Sequence, residues 1–209
     1  MGKQSNIVQT VEGDAWHARN KSADRSSDPV LHQIFTNPNI NPTTVLEIGC
    51  GTGWRLARIM DRYYGADCRG CDLSWEAIEA GRNRYKRLGL RVASADSIGY
   101  PNDSFDLVIL GFFMYLVDRE DLFRVVAEVD RVLRDKGFLV IHDFLPDEPH
   151  SRDYAHDPRL STYKMGYHQL FMANPSYQFE AAHAWGGGDD REAIHILRKD
   201  HSAGWPRRA

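Results

Sequence analysis

Five residues, Gly49-Cys50-Gly51-Thr52-Gly53, follow the branched apolar run TTVLEIG and lead into Leu56, Ile59, Met60 and Tyr63 at helical spacing. Glycines let the backbone turn tightly and approach a ligand with no Cβ in the way. The helix N-terminus behind them favours anionic or polar ligand groups. Asp72 lies nineteen residues after Gly53 at the end of a second short strand, where a carboxylate can accept two hydrogen bonds from ribose hydroxyls. Loop and acid together point to an adenosine-containing cofactor. A dinucleotide site reads G-x-G-x-x-G, whereas here the spacing is G-x-G-x-G and Trp54 stands where the third glycine would fall. Glu47, two positions before Gly49, would repel a pyrophosphate and welcome a cationic amine or sulfonium. No G-x-x-x-x-G-K-[ST] phosphate loop occurs. The residues favour a cofactor without phosphates.

Strands and helices must hold these groups in place. After the glycine loop and its helix, ADCRGCDL reads as a second strand, and Ser74 as an N-cap for a helix ending at Gly89. Residues 90–95 form a third strand, Phe105–Leu110 a fourth and FLVIHDF (138–144) a fifth. Between the last two, Leu122, Val125, Val126, Val129, Val132 and Leu133 share one face of a helix over 119–134, closed by Gly137. YQFEAAHAW and REAIHILRK, joined by GGGDD, form a closing hairpin. The alternation predicts an α/β fold with a doubly wound, mostly parallel seven-stranded sheet ending in an antiparallel C-terminal strand pair. Residues 1–42 are expected as an N-terminal cap, 43–200 as the cofactor domain with an insertion at 145–168, and 201–209 as a flexible tail.

The 209 residues carry 26 Lys+Arg against 29 Asp+Glu, a net charge of −3, a poor basis for nonspecific nucleic-acid binding. The longest apolar run, 107–117, is too short to span a bilayer, and MGKQSNIVQT lacks the apolar core of a secretory signal. Three cysteines make no disulfide scaffold. Cys68-x-x-Cys71 lacks two further ligands for zinc, so no metal is expected. A cytoplasmic globular protein is left, with no membrane partner.

VLEIGCGTGWRLARI resembles the first motif of class I S-adenosylmethionine-dependent methyltransferases. GCDLSWEAIEAG resembles their second-strand motif, SADSIGYPNDSFDLVI the adenine-site and fourth-strand motifs, and RVLRDKGFLVIHDF the fifth-strand motif. Order, spacing and final hairpin match over residues 43–199, about three quarters of the chain. The resemblance implies S-adenosyl-L-methionine as cofactor. Gly49, Cys50, Gly51 and Gly53 would line its methionine part, and Glu47 would orient its amino group. Asp72 would hold the ribose, with Leu73 against the adenine. Asp96 would accept from the adenine amino group with help from the Ser97 backbone, and Gly111 and Phe112 would border the sulfonium. As in many of these enzymes, the N-terminal segment around Trp16 and Arg19 would close over the cofactor.

An oxygen or nitrogen acceptor can need a base for its proton. His142 and Asp143, at the end of the fifth strand, lie on the rim where α/β sheets bind ligands, as does Tyr115 after the fourth. His142 and Tyr115 are therefore the candidate catalytic residues. The 145–168 insertion carries Tyr154, His156, Arg159, Tyr163, Lys164 and His168. Taken as an acceptor lid, this polar, cationic set suits a polyhydroxylated or anionic small molecule such as a sugar or nucleotide-sugar. The insertion loosely resembles methyltransferases of polysaccharide biosynthesis. Three other readings compete: a nicotinamide-dependent oxidoreductase, disfavoured by Trp54 and Glu47; a cofactor-binding protein without catalysis; and a nucleic-acid methyltransferase. For the last, the run Arg82, Arg84, Lys86, Arg87 and Arg91 is the expected solvated face of a helix, and Asn174-Pro175-Ser176-Tyr177 stands too far from the fourth strand to act as an N-P-P-Y motif.

Overall fold

The computed structural model describes residues 2–23 and 26–205. The chain opens with α1 (Lys3–Ile7), a π-helical turn (Val8–Glu12) and α2 (Gly13–Arg19). Then come α3 (Pro29–Thr36), β1 (Thr44–Ile48), α4 (Trp54–Arg62), β2 (Asp67–Asp72), α5 (Trp75–Arg84), β3 (Gly89–Val92) and β4 (Phe105–Gly111). A short 3-10 turn (Met114–Leu116), α6 (Leu122–Val132) and β5 (Leu133–Phe144) follow. The remainder is β6 (His150–Asp153), β7 (Ser161–Lys164), α7 (His168–Met172), β8 (Tyr177–Trp185), β9 (Glu192–Lys199) and α8 (His201–Gly204).

Seven strands form one sheet in the order β3-β2-β1-β4-β5-β9-β8, parallel through β5, with β9 and β8 antiparallel. The doubly wound sheet with its antiparallel C-terminal pair is the one the alternation predicts. Its order reverses between β1 and β4, so a crevice opens beyond the C-terminal ends of those two strands. Leu46, Val108, Leu139 and Ile141 pack against α6 on one face, and Val45, Leu107, Ile109 and Val140 against α3 and α4 on the other. Being buried on both faces is why β1 and β4 are mostly apolar, broken by Glu47 in the one and Asp106 in the other. Helix starts are set by side chains: Asp28 Oδ1 accepts from Leu31 N (2.7 Å) ahead of α3, and Ser74 Oγ from Ala77 N (3.0 Å) ahead of α5.

Several elements depart from expectation. Residues 3–19 are helical although they show no apolar period, because polar contacts hold them and Ile7 and Val8 pack on the core. Asp14 Oδ1 accepts from Ser74 Oγ (2.5 Å) and Glu76 N (3.1 Å), and Gln4 Nε2 donates to Leu116 O (3.0 Å). The expected flexible tail begins with α8, capped by Asp200 on Ala203 N (3.0 Å) and tied by Asp135 to His201 N (2.9 Å); residues 206–209 of that expected tail lie outside the described residues. The insertion folds into the separate β6–β7 hairpin. The helix before β5 ends at Val132, and β5 starts already at Leu133, turning through Lys136 at φ 67°.

Candidate active site

The glycine loop bridges β1 and α4. Gly49, Gly51 and Gly53 take φ of 74°, 53° and 74°, the left-handed region that side chains disfavour. A Cβ on Gly49 would sit 2.9 Å from the Phe113 ring, and one on Gly53 2.9 Å from Leu90. The loop is tied to β2: Gly49 N and Cys50 N both donate to Cys71 O (2.9 and 3.1 Å). Asp72 accepts from Gly51 N on Oδ2 (2.8 Å) and from Ser74 N on Oδ1 (2.9 Å). Each oxygen keeps a lone pair for a ligand hydroxyl. Burial raises the Asp72 pKa, and those amides pull it back down. Gly81 on α5 lets this helix close on the loop, since a Cβ there would lie 2.4 Å from Thr52 O.

Beside Asp72 is a cavity whose walls include Gly49, Leu73, Asp96 and Phe113 from the sheet rim and Ser5 and Val8 from the N-terminal helices. Asp96 accepts from Ser94 Oγ and has Arg124 at 3.9 Å. Ser97 does not line the cavity, and its N–H donates to Ser94 O (3.1 Å). Glu47 is fully buried at the other end of the loop, ion-paired to Arg55, which also pairs with Asp28 (3.0 Å). Glu47 Oε2 has no partner. Burial pushes the Glu47 carboxyl up to about 7 against the pull of Arg55. Glu47 itself lines neither cavity, whereas the left-handed glycine loop and the Asp72 carboxylate on the first cavity's wall fit the methionine chain and ribose of S-adenosylmethionine.

A second cavity, about 830 Å³, shares Gly49 with the first and lies on the other side of the loop. Trp16, Trp54, Arg55, Gly111, Phe112 and His142 are among its walls. Consecutive residues divide the space, Phe112 facing this cavity and Phe113 the first. Phe112 holds φ 64°, and its ring packs on His142 (4.7 Å between centroids), Phe144 (4.9 Å) and Tyr115 (5.3 Å). His142 Nε2 lies 2.9 Å from Glu192 Oε2, while its Nδ1 is buried with no partner. Tyr115 is buried behind Phe112 and Phe144 and lines neither cavity; burial raises its pKa. Asp143 is buried too, its carboxyl pushed up to about 7.

The polar side chains of the insertion do not line either cavity. Tyr154 donates to Glu12 (2.8 Å) and packs on His156, Arg159 pairs with Asp157, and Tyr163 lies under Arg119. Lys164 is buried on Asp190, and His168 stacks on His195 at 3.7 Å. They serve the fold and brace the N-terminal helices, which removes the ground for inferring a polyhydroxylated acceptor from them. Trp16 does wall the second cavity, and Arg19 instead pairs with Glu12. Of the helix-face run, Arg82 donates to Leu90 O (3.0 Å) and Arg91 lies over Tyr100. Asn174 Oδ1 accepts from Ser176 N (3.0 Å) in a turn. Cys68 and Cys71 are buried in β2, their thiols pushed up to about 12.

Arg55, Glu192, Gly81 and Asp14 belong to the site and were not singled out by sequence. The only local signal was Gly81 inside a helical run; the others depend on partners at least eight residues away.

A family model for a methyltransferase domain matches residues 46–141. The fatty-acid O-methyltransferase of Mycolicibacterium smegmatis is 30% identical over 124 residues, 58% of this chain and 44% of that protein. A demethylmenaquinone methyltransferase of Thermobifida fusca is 30% identical over 173 residues, 78% of this chain and 69% of that protein. The chain spans 44%, 38% and 37% of three of the curated relatives it matches. Among solved structures, the Burkholderia thailandensis 1,6-didemethyltoxoflavin-N1-methyltransferase with bound 1,6-didemethyltoxoflavin and S-adenosylhomocysteine superposes with a TM-score of 0.74 at 16% identity. That likeness of fold covers 94% of this chain and 88% of the other. Among the described residues, no helix is long and apolar enough to cross a membrane.

Proposed function

This chain belongs to the class I S-adenosylmethionine-dependent methyltransferases, and from that premise we propose that it methylates an oxygen or nitrogen of a small molecule held in the second cavity, which the cofactor's methionine end shares at Gly49, Cys50, Gly51, Gly111 and Phe112. S-adenosylmethionine, when bound, supplies a methyl group on a good leaving group. Asp72 and Asp96 hold its nucleoside end, and Glu47 holds its ammonium. What remains for the protein is to align the acceptor, exclude water and take a proton.

The observation that carries the reading is the His142–Glu192 pair at the wall of the second cavity. With Nε2–H donated to Glu192, the lone pair sits on Nδ1, which no protein group uses. As the acceptor's oxygen or nitrogen is alkylated, its proton passes to the imidazole of His142 on the cavity wall. The Glu192 carboxylate then stabilises the imidazolium. Tyr115 orders the Phe112 wall from behind, and burial, which raises its pKa, keeps its phenol protonated at neutral pH. Relatives named for acceptors as different as a fatty acid and demethylmenaquinone leave the acceptor to be decided by this chain's own walls. Those walls combine Trp16, Trp54 and Phe112 with the polar side chains of Asn20, Thr52, Arg55 and His142.

Calorimetric titration of S-adenosylmethionine, S-adenosylhomocysteine and NAD, each into separate samples, tests the cofactor assignment. Micromolar binding of the two sulfur compounds alone is expected. Binding of NAD alone would overturn the reading. Turnover is then followed as S-adenosylhomocysteine release across an acceptor panel that includes RNA and DNA.

A further inference from the structure

We propose that the acceptor cleft continues past His142 into an anion-accepting end, so that the acceptor is a flat ring bearing a carboxylate or similar anionic group. The proposal rests on the methyltransferase reading above and adds the class of acceptor.

A third cavity, about 1210 Å³ and open to solvent, lies between α3 and β8, walled by Asp28, His32, Arg58, His183 and Trp185. Three elements carry residues of both cavities. On α4, Arg55 faces the acceptor cavity and Arg58, one turn on, faces the third. The segment after α2 gives Asn20 and Ala23 to the first of these and Ser26 and Ser27 to the next. On the sheet, the Trp185 ring packs on His142 (5.4 Å between centroids) and on His183 (5.5 Å). Phe112, His142, Trp185 and His183 thus form a continuous row of rings leading outward from Gly49. Such a row fits a planar molecule, which stacks at low conformational cost.

At the far end Asp28 is paired with Arg55, and the cation facing the cavity is Arg58. The side chains of Arg58 and His32 have no hydrogen-bond or ion-pair partner among the described residues. The His183 ring packs on the Trp185 ring and has no hydrogen-bond or ion-pair partner among the described residues. The carboxylates nearby are engaged elsewhere, Asp28 with Arg55 and Glu192 with His142. An uncompensated guanidinium beside two imidazoles suits an anion.

The test titrates 2-naphthoate and its neutral isostere 2-naphthamide into the whole chain, with and without S-adenosylhomocysteine, for wild type, Arg58→Ala and Trp185→Ala. Arg58 is exposed and its removal leaves the core intact. The expected result is that naphthoate binds about fivefold tighter than the amide at low salt, that Arg58→Ala erases this preference, and that Trp185→Ala weakens both probes. Equal affinities in wild type, a preference that survives Arg58→Ala, or no binding of either probe overturns the proposal. S-adenosylhomocysteine affinity unchanged in Arg58→Ala confines the effect to the acceptor end. Failure of S-adenosylhomocysteine to bind wild type instead overturns the methyltransferase reading on which the proposal stands.

Discussion

Glu47→Gln should make the protein more stable as the pH rises while weakening its grip on the cofactor. Glu47 is fully buried, with Arg55 on one oxygen and nothing on the other, and its carboxyl is raised from 4.5 to about 7. Its pKa is higher folded than unfolded, so between roughly pH 4.5 and 7 the native state holds a proton the unfolded chain has released. Stability is therefore present below that window and falls as pH rises through it. At about 1.4 kcal/mol per pKa unit, the shift from 4.5 to about 7 corresponds to about 3 kcal/mol lost by pH 8. Asp143, raised from 3.8 to about 7, adds a loss of the same sign over the same range. Glutamine mimics the protonated acid, and Arg55 keeps Asp28. The variant should match wild type near pH 5 and exceed it by up to about 3 kcal/mol near pH 8, measured as urea unfolding free energies at pH 5, 6, 7 and 8. A difference between the two proteins that stays constant from pH 5 to 8 would refute the reasoning. The same variant should bind S-adenosylhomocysteine more weakly at pH 8, where wild type presents an anion to the ligand's ammonium.

Other outcomes follow from the same geometry. Asp72→Ala removes the acceptor of two backbone amides and two ligand hydroxyls, and should weaken S-adenosylhomocysteine more than tenfold in calorimetry; an unchanged affinity would sink its assignment. His142→Ala should lower turnover by about 100-fold or more, and Glu192→Gln by less, with S-adenosylhomocysteine affinity intact in both; full activity in His142→Ala removes it as base. Gly81→Ala places a Cβ 2.4 Å from Thr52 O, and should cost about 1–3 kcal/mol in urea unfolding despite alanine's better helix propensity; an unchanged or raised midpoint would show that the loop yields. Tyr154→Phe deletes the 2.8 Å bond to buried Glu12 and should speed tryptic cleavage at Arg19 and Lys21, with equal rates counting against the brace.

Legibility in the sequence followed the range of the interaction. The strands flanking the glycine loop, and Asp72 at the end of β2, were readable because β1 and β4 are buried on both faces and their apolar runs are short and dense. Gly49, Asp72, Leu73 and Asp96, all named from motifs, line one cavity. The N-terminal helices were not readable, because Asp14 and Gln4 anchor them to Ser74 and Leu116, far along the chain, rather than through an apolar stripe. The insertion misled in the opposite sense: a set of polar side chains looks like a binding surface until their partners are known, and here Glu12, Asp157 and Asp190 take them. Arg55 shows the limit most sharply. A charged residue in the first turn of a helix reads as solvent-facing, yet two carboxylates from other elements draw it inside.

The partition between the cavities carries a consequence for the size of the group that can cross. Gly49 and the Phe112–Phe113 pair are the wall common to both, and the Phe113 ring already fills the place a side chain on Gly49 would take. A path that passes a bare glycine backbone beside an aromatic edge is expected to favour a methyl over longer groups. Cofactor analogues that carry ethyl, allyl or propargyl in place of methyl would meet the Phe113 ring before they met the acceptor. Trimming that ring to leucine or alanine would be the first step toward making this chain an alkyltransferase of broader reach, at a position that leaves Asp72, Glu47 and His142 untouched.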